Sequence, residues 1–287
     1  GTCVNVGCIP KKLYVYASEY GAAWQDAKGF GWQSEQPKFD WDTLRDNKTK
    51  EIARLNAIYE RLLTSPGVDI IEGHGRLEGP QTVVVGGRTI SAEKILLATG
   101  TWPAMPDIPG VDLAINSNAL FDLDRFPERL LIIGGGYIAT EFASTFAGLG
   151  ATVVQSYRGD LFLRGFDHDI RRFLAEEMRK AGVDLRFNHD THSLEATETG
   201  IITAHMSDGI LGFDTVLCAT GRRPNIAHLG LEHTAVKLND SGYLCVNEQF
   251  QTDEPSIFAL GDMTGGWELT PVAIAEAMVF AESQFNN

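Results

Sequence analysis

The chain has 287 residues, 44% of them apolar and 22% charged, with a formal net charge of −14. That length permits two domains, and the balance is that of a chain with a buried core. The acidic charge argues against nucleic acid or an anionic membrane surface as a partner, so any anionic ligand must meet locally gathered positive groups. No apolar run approaches the length of a membrane-crossing helix, and no secretory signal peptide is visible.

The chain begins Gly1-Thr2-Cys3-Val4-Asn5-Val6-Gly7-Cys8-Ile9-Pro10-Lys11-Lys12. Two cysteines this close in sequence, followed by Pro and two Lys, form a candidate redox disulfide. Pro10 suits the first turn of a helix, and Leu13, Tyr14, Ala17, Tyr20 and Gly21 continue at helical spacing. Cys8 is therefore expected at a helix N-terminus, where the helix dipole favours a thiolate, and Lys11 adds positive charge one turn on. A purely structural disulfide or two buried thiols would also account for the pair. With four cysteines in all, a secreted disulfide scaffold is disfavoured, and the scarcity suits the cytoplasm. No zinc-type spacing or other metal site appears. Cys218 and Cys245 read as buried small hydrophobes.

Residues 8–63 read as mostly helical, interrupted by a loop at 29–37. Leu44, Ile52, Leu55, Ile58, Tyr59, Leu62 and Leu63 mark one face of a helix over 43–63. Short strands are expected at 68–72, 82–85 and 94–98. From 126 onward the pattern alternates: strand 130–133, helix 137–148, strand 152–157, helix 167–181, strand 184–187. This alternation predicts a parallel, doubly wound sheet. A short strand at 256–260 and a last helix from Pro271, capped by Thr270, close the chain.

Gly134-Gly135-Gly136-Tyr137-Ile138-Ala139 follows a strand and opens a helix. This is the dinucleotide fingerprint in its required context. Gly134 permits the tight turn, and Gly136 lets the backbone approach a pyrophosphate at the helix N-terminus. Sites for NAD carry an acidic residue at the end of the next strand. Here Tyr157 stands there, followed by Arg158 and later Arg164. Two guanidiniums and no carboxylate suit a 2′-phosphate, hence NADPH.

The segment Cys-Val-Asn-Val-Gly-Cys-Ile-Pro-Lys-Lys resembles the redox motif of the class I flavin-dependent pyridine nucleotide–disulfide oxidoreductases. The likeness extends over the whole chain. It implies an α/β fold: a Rossmann-like three-layer NADPH-binding domain inserted in a partial FAD-binding domain, as in flavoproteins with two dinucleotide-binding domains. The expected boundaries are 1–125 for the part with the redox disulfide, 126–242 for the NADPH domain and 243–287 for the rest of the FAD domain.

The resemblance also assigns roles. Cys8 is the thiol nearer the flavin and Cys3 the interchange thiol, with Lys11 and Glu141 paired beside the flavin and Tyr137 gating the nicotinamide pocket. Gly134, Gly136, Ile138, Arg158 and Arg164 belong to the NADPH site. Ile95-Leu96-Leu97-Ala98-Thr99-Gly100 and Val216-Leu217-Cys218-Ala219-Thr220-Gly221-Arg222 resemble the connections between the two domains. Thr2, Gly75, Thr99, Gly100, Gly221 and Arg222 join the cofactor-binding set. Asp262, at the end of Ile257-Phe258-Ala259-Leu260-Gly261-Asp262, is implied to bond the flavin's ribityl chain, and the helix start at Thr270 to face its pyrimidine edge.

The likeness is strongest to the branch that reduces glutathione disulfide, which makes oxidised glutathione the expected partner. It rests on the residues from Gly134 to Phe142, on Arg158 and Arg164, and on Arg54-Leu55-Asn56-Ala57-Ile58-Tyr59, whose Tyr59 is implied to line the disulfide site. One departure is Met278, where that branch carries an Arg for a substrate carboxylate. The reductases of trypanothione and the large reductases of thioredoxin are the alternatives. Family members also begin with an FAD fingerprint and end in a dimer-forming domain with a His-Glu pair. The chain is therefore expected to be truncated at both ends, homodimeric when complete, and alone a non-catalytic NADPH-binding fragment.

Overall fold

The computed structural model describes residues 1–33, 35 and 37–286. Ser34 and Gln36, in the expected 29–37 loop, lie outside the described residues. The chain forms two compact units, Gly1–Tyr59 with Pro103–Gly221, and Glu60–Trp102 with Arg222–Asn287.

In chain order, α1 (Thr2–Val6) and α2 (Cys8–Ala27) are followed by α3 (Trp41–Thr64). Asp40 starts α3, its carboxylate accepting the Thr43 N–H at 2.6 Å. Tyr14 of α2 is fully buried and satisfies its hydroxyl by donating to Phe121 O at 2.7 Å. Trp41 Nε1 donates to Leu123 O at 2.8 Å, and the buried Lys48 pairs with Asp122. Burial on α3 centres on Trp41, Lys48 and Ile52. Tyr59, Leu62 and Leu63, expected on its apolar face, are exposed, whereas Trp41 and Leu44 at its start join a core cluster.

The strand expected at 68–72 does not form. That stretch is almost wholly exposed and joins no ladder among the described residues. Its β-branched side chains express a local preference with no partner strand to reward it. An antiparallel sheet follows, from β1 (Arg76–Gly79), β2 (Thr82–Val85) and β3 (Arg88–Ser91). Next come β4 (Ile95–Leu97), β5 (Thr101–Pro103) and β6 (Ile115–Asn116).

The dinucleotide-type alternation runs β7 (Arg129–Ile133), α4 (Tyr137–Leu149), β8 (Thr152–Tyr157), α5 (His168–Lys180) and β9 (Asp184–Phe187). An antiparallel sheet of β10 (Thr191–Ala196), β11 (Ile202–Met206) and β12 (Gly209–Phe213) precedes β13 (Thr215–Cys218). The chain ends with β14 (Arg222–Pro224), β15 (Ile257–Ala259) and α6 (Thr270–Phe285).

The central sheet of the first unit has the order β6-β13-β7-β8-β9, and its ladders are parallel. Side chains alternate across it. Leu130 and Ile132 of β7 enter the cluster that holds Phe142 and Phe146 of α4, Met178 of α5 and Tyr14 of α2. Leu131 points the other way, into Leu194, Ala204, Met206 and Phe213 of the β10-β11-β12 sheet. Each such fully buried side chain contributes about 1.5–3 kcal/mol by leaving water. The result is three layers. The second face carries an antiparallel sheet, where a doubly wound sheet would carry helices. In the second unit β4 and β15 pair in parallel, and their Ile95, Leu97, Ile257 and Ala259 pack with Leu77, Leu229, Leu244 and Met263.

Candidate functional site

Cys3 lies in α1 and Cys8 is the first residue of α2, with Gly7 between the helices. Gly7 is needed for close approach. A Cβ there would lie 2.8 Å from Thr2 O and 3.0 Å from Cys3 Cα. The chain therefore folds sharply back, and the backbone of Cys3 lies against the residue before Cys8. Cys3 is partly buried and Cys8 exposed. Gly7, the residue before α2, offers no side-chain cap, and Cys8 stands at the helix N-terminus, where the helix dipole acts. Thr2 is exposed on α1.

Lys11, one turn into α2, reaches α4: its Nζ lies 2.7 Å from Glu141 Oε1. A close helix crossing makes the reach possible, since a Cβ on Gly148 of α4 would lie 2.9 Å from Ser18 Cβ of α2. Tyr137, one turn before Glu141, is about half exposed. On α3, Asn56 Nδ2 donates to Asn5 Oδ1 at 2.9 Å, which ties this helix to α1. Tyr59 sits one turn beyond Asn56, exposed.

The fingerprint turn occupies the carboxyl end of β7, between β13 and β8. This is where strand order reverses and where open α/β sheets bind ligands. Gly134 has φ +146°, and a Cβ there would lie 2.2 Å from Ala219 O. Gly134 N–H donates to Ser156 O, and the fully buried Gln155 donates from Nε2 to Gly134 O at 3.0 Å. Gly136 caps α4 without a side chain, and its Cβ direction faces open space. Tyr137 and Ile138 thus begin the helix directly after the fingerprint glycines, where first-turn amides point out of the helix N-terminus.

Arg158 and Arg164 are both exposed on the loop after β8. Neither makes an ion pair or hydrogen bond among the described residues. The loop that carries them is nonetheless fixed. Leu163 N–H donates to Gly135 O at 2.6 Å, and Arg171 donates to Phe162 O at 2.7 Å and to Leu161 O at 2.5 Å. Sequence reasoning missed Gln155, Arg171 and Gly7, whose partners are fixed by folding. Gly7 alone left a signal, as a glycine between two cysteines.

In the second unit, Asp262 sits in a short 3₁₀ turn after β15, and Thr101 Oγ1 donates to its Oδ2 at 3.4 Å. Arg222 orients that threonine, its Nε donating to Thr101 Oγ1 and its Nη2 to Thr101 O, each at 2.7 Å. Thr99 donates to Asn225 O at 2.8 Å, and Gly100 takes φ +68°. Gly75 precedes β1 in ordinary surroundings, while Gly221, with φ +144°, ends the first unit. Thr270 does not cap α6. Leu269, with extended φ and ψ, is the cap residue and offers no side-chain cap, and Thr270 is the first helical residue. The Leu269 carbonyl already accepts from Val272 and Ala273, which starts the helix one residue early.

The family described as pyridine nucleotide-disulphide oxidoreductase matches residues 1–277. The chain belongs to that family. It is 46% identical over 286 residues to glutathione reductase of Burkholderia cepacia, covering 99% of this chain and 64% of that protein. It is 43% identical to the chloroplastic/mitochondrial glutathione reductase of Pisum sativum, covering 100% of this chain and 52% of that protein. Trypanothione reductase of Trypanosoma congolense is 36% identical, with 100% and 62% covered. Among solved structures, the HOCl-induced flavoprotein disulfide reductase RclA from Escherichia coli superposes with a TM-score of 0.89 at 29% identity, over 100% of this chain and 63% of that one. The chain therefore spans less than two thirds of the relatives it matches.

Membership brings the family's cofactors, FAD and NADPH, with it. The residues fit them. A helix start opened by glycines and two exposed guanidiniums, without an ion pair among the described residues, suit a phosphorylated dinucleotide. A partly exposed carboxylate with one oxygen already held suits a sugar hydroxyl. No helix among the described residues is long and apolar enough to cross a membrane.

Proposed function

We propose that the complete protein is a homodimeric, cytoplasmic flavoprotein that reduces oxidised glutathione at the expense of NADPH, with Cys3 and Cys8 as its redox disulfide. The observation that carries this reading is the Lys11–Glu141 pair at 2.7 Å. It joins the helix headed by Cys8 to the helix headed by the fingerprint glycines.

Bound FAD and NADPH would supply the two electrons that reopen the Cys3–Cys8 disulfide. The chain's own residues do the rest. Cys8 at the start of α2 is placed where a helix dipole stabilises a thiolate, and Lys11 adds a neighbouring cation. The Cys3 thiolate attacks one sulfur of glutathione disulfide, forming a mixed disulfide and releasing one glutathione thiolate. The Cys8 thiolate then attacks the Cys3 sulfur, releases the second glutathione, and regenerates the Cys3–Cys8 bond. Two protons and two electrons are consumed per disulfide. Arg158 and Arg164 hold the 2′-phosphate, the α4 amides hold the pyrophosphate, and Tyr137 covers the nicotinamide pocket. Asp262 bonds the ribityl chain, and Tyr59 contacts the substrate.

The glutathione reductases of Burkholderia cepacia and Pisum sativum, at 46% and 43% identity, exceed the trypanothione reductase of Trypanosoma congolense at 36%, which supports the choice of substrate. Met278, exposed on α6, offers no charge to a glutathione carboxylate, so that contact must come from elsewhere. The test is NADPH consumption by the complete FAD-loaded protein with oxidised glutathione, trypanothione disulfide or oxidised thioredoxin. The reading predicts the highest kcat/KM with glutathione. A higher value with either other disulfide would replace the substrate, and no turnover with any would end the reading.

A further inference from the structure

Gly261 and Asp262 form the turn that ends β15, and the turn is held from an unexpected direction. Glu276, in the second turn of α6, accepts the Gly261 N–H on its Oε2 at 2.7 Å. No backbone carbonyl accepts that N–H among the described residues. Gly261 has φ +72°, which glycine adopts readily and which aims the next residue away from the strand direction. The same helix closes on the turn through Ala273, whose Cβ lies 3.5 Å from the Cβ position of Gly261. Asp262 is then held a second time, on its side chain, by Thr101 Oγ1. One bond fixes the backbone before the carboxylate, and the other fixes the carboxylate.

We propose that Glu276 is a positioning residue for Asp262: by holding the Gly261 amide, it sets the turn that presents the Asp262 carboxylate to the flavin's ribityl hydroxyls. This rests on the reading of Asp262 as a flavin contact. A hydrogen bond to an ionised acceptor is among the stronger kinds, and removing it leaves the Gly261 amide without its partner. Glutamine at this position keeps an oxygen acceptor of the same reach, whereas alanine keeps none.

The experiment compares the complete flavoprotein with its Glu276→Ala, Glu276→Gln and Asp262→Asn variants. FAD affinity is read by flavin fluorescence, and exchange of the Gly261 amide is read by NMR or mass spectrometry. Glu276→Ala is expected to weaken FAD binding about tenfold and to speed exchange at Gly261, with Glu276→Gln staying within about twofold of the parent. Should the alanine variant fail to fold, the glutamine variant decides, since a tenfold loss there would overturn the acceptor role. Parental FAD affinity in Glu276→Ala, with affinity lost in Asp262→Asn, would overturn the role of Glu276 and leave Asp262 as a flavin contact. Parental affinity in Asp262→Asn would overturn the reading on which the proposal rests.

Discussion

Lys11 Nζ and Glu141 Oε1 stand 2.7 Å apart although 130 positions separate the residues. Cys8 lies one turn before the lysine and Tyr137 one turn before the glutamate. One ion pair thus ties the thiol element to the dinucleotide element inside a single compact unit.

That pair is partly exposed at both ends, so its worth to stability is small, about 0.2–1 kcal/mol. Lys11→Met is therefore expected to leave the urea midpoint nearly unchanged. On the proposed function it should slow NADPH-dependent disulfide reduction at least about tenfold, by removing a cation one helical turn from Cys8. Parallel denaturation and stopped-flow experiments separate the two effects.

Arg158 and Arg164 are exposed and make no ion pair or hydrogen bond among the described residues, so replacing them should disturb little of the fold. Charged hydrogen bonds are worth about 1.5–3 kcal/mol each. Arg158→Ala and Arg164→Ala should each raise the KM for NADPH about tenfold or more. The KM for NADH, which lacks the 2′-phosphate, should stay level. Steady-state kinetics with both nucleotides reads the difference directly.

Gly134→Ala confronts both a backbone conformation at φ +146° and a contact of 2.2 Å with Ala219 O. The Ala219 carbonyl is backbone, so it cannot swing aside as a flexible side-chain tip would. The expected loss of stability is about 3 kcal/mol or more, measured as a lower denaturant midpoint, together with loss of NADPH binding in calorimetry.

Burial pushes the Cys218 thiol up to about 12. The Tyr14 hydroxyl is also pushed well up, by burial first and then by the Asp122 charge. Raised values in the folded state mean that the protonated forms are native. The stability they lend is complete below the ordinary thiol value of about 8.5, and for the tyrosine below about 10. It is lost as pH climbs through the folded values. Urea midpoints should fall with alkaline pH, less steeply in Cys218→Ala, and a thiol reagent at neutral pH should leave Cys218 unmodified in the native protein.

The thiol motif, the fingerprint turn and the β-α-β-α-β alternation were legible because each is local. Glycine at 134, proline at 10 and apolar residues at 130–133 answer to neighbours along the chain. What escaped depended on partners far away. The run at 68–72 has strand-forming side chains but joins no ladder among the described residues. Thr270 has the chemistry of a cap, yet Leu269 takes the cap geometry. The carboxylate of Glu276 and the hydroxyl of Thr101 have no local signature as supports for Asp262. Gly7 matters because Thr2 and Cys3 fold back onto it, a relation visible only once α1 and α2 have formed.

On the proposed function, electrons from NADPH arrive at Cys3 and Cys8. The complete FAD-loaded protein should be treated with an alkylating reagent before and after a stoichiometric addition of NADPH, then mapped by peptide mass spectrometry. Cys3 and Cys8 should resist alkylation before NADPH and both be alkylated after it, while Cys218 stays unmodified throughout. Equal labelling of Cys3 and Cys8 with and without NADPH would contradict it.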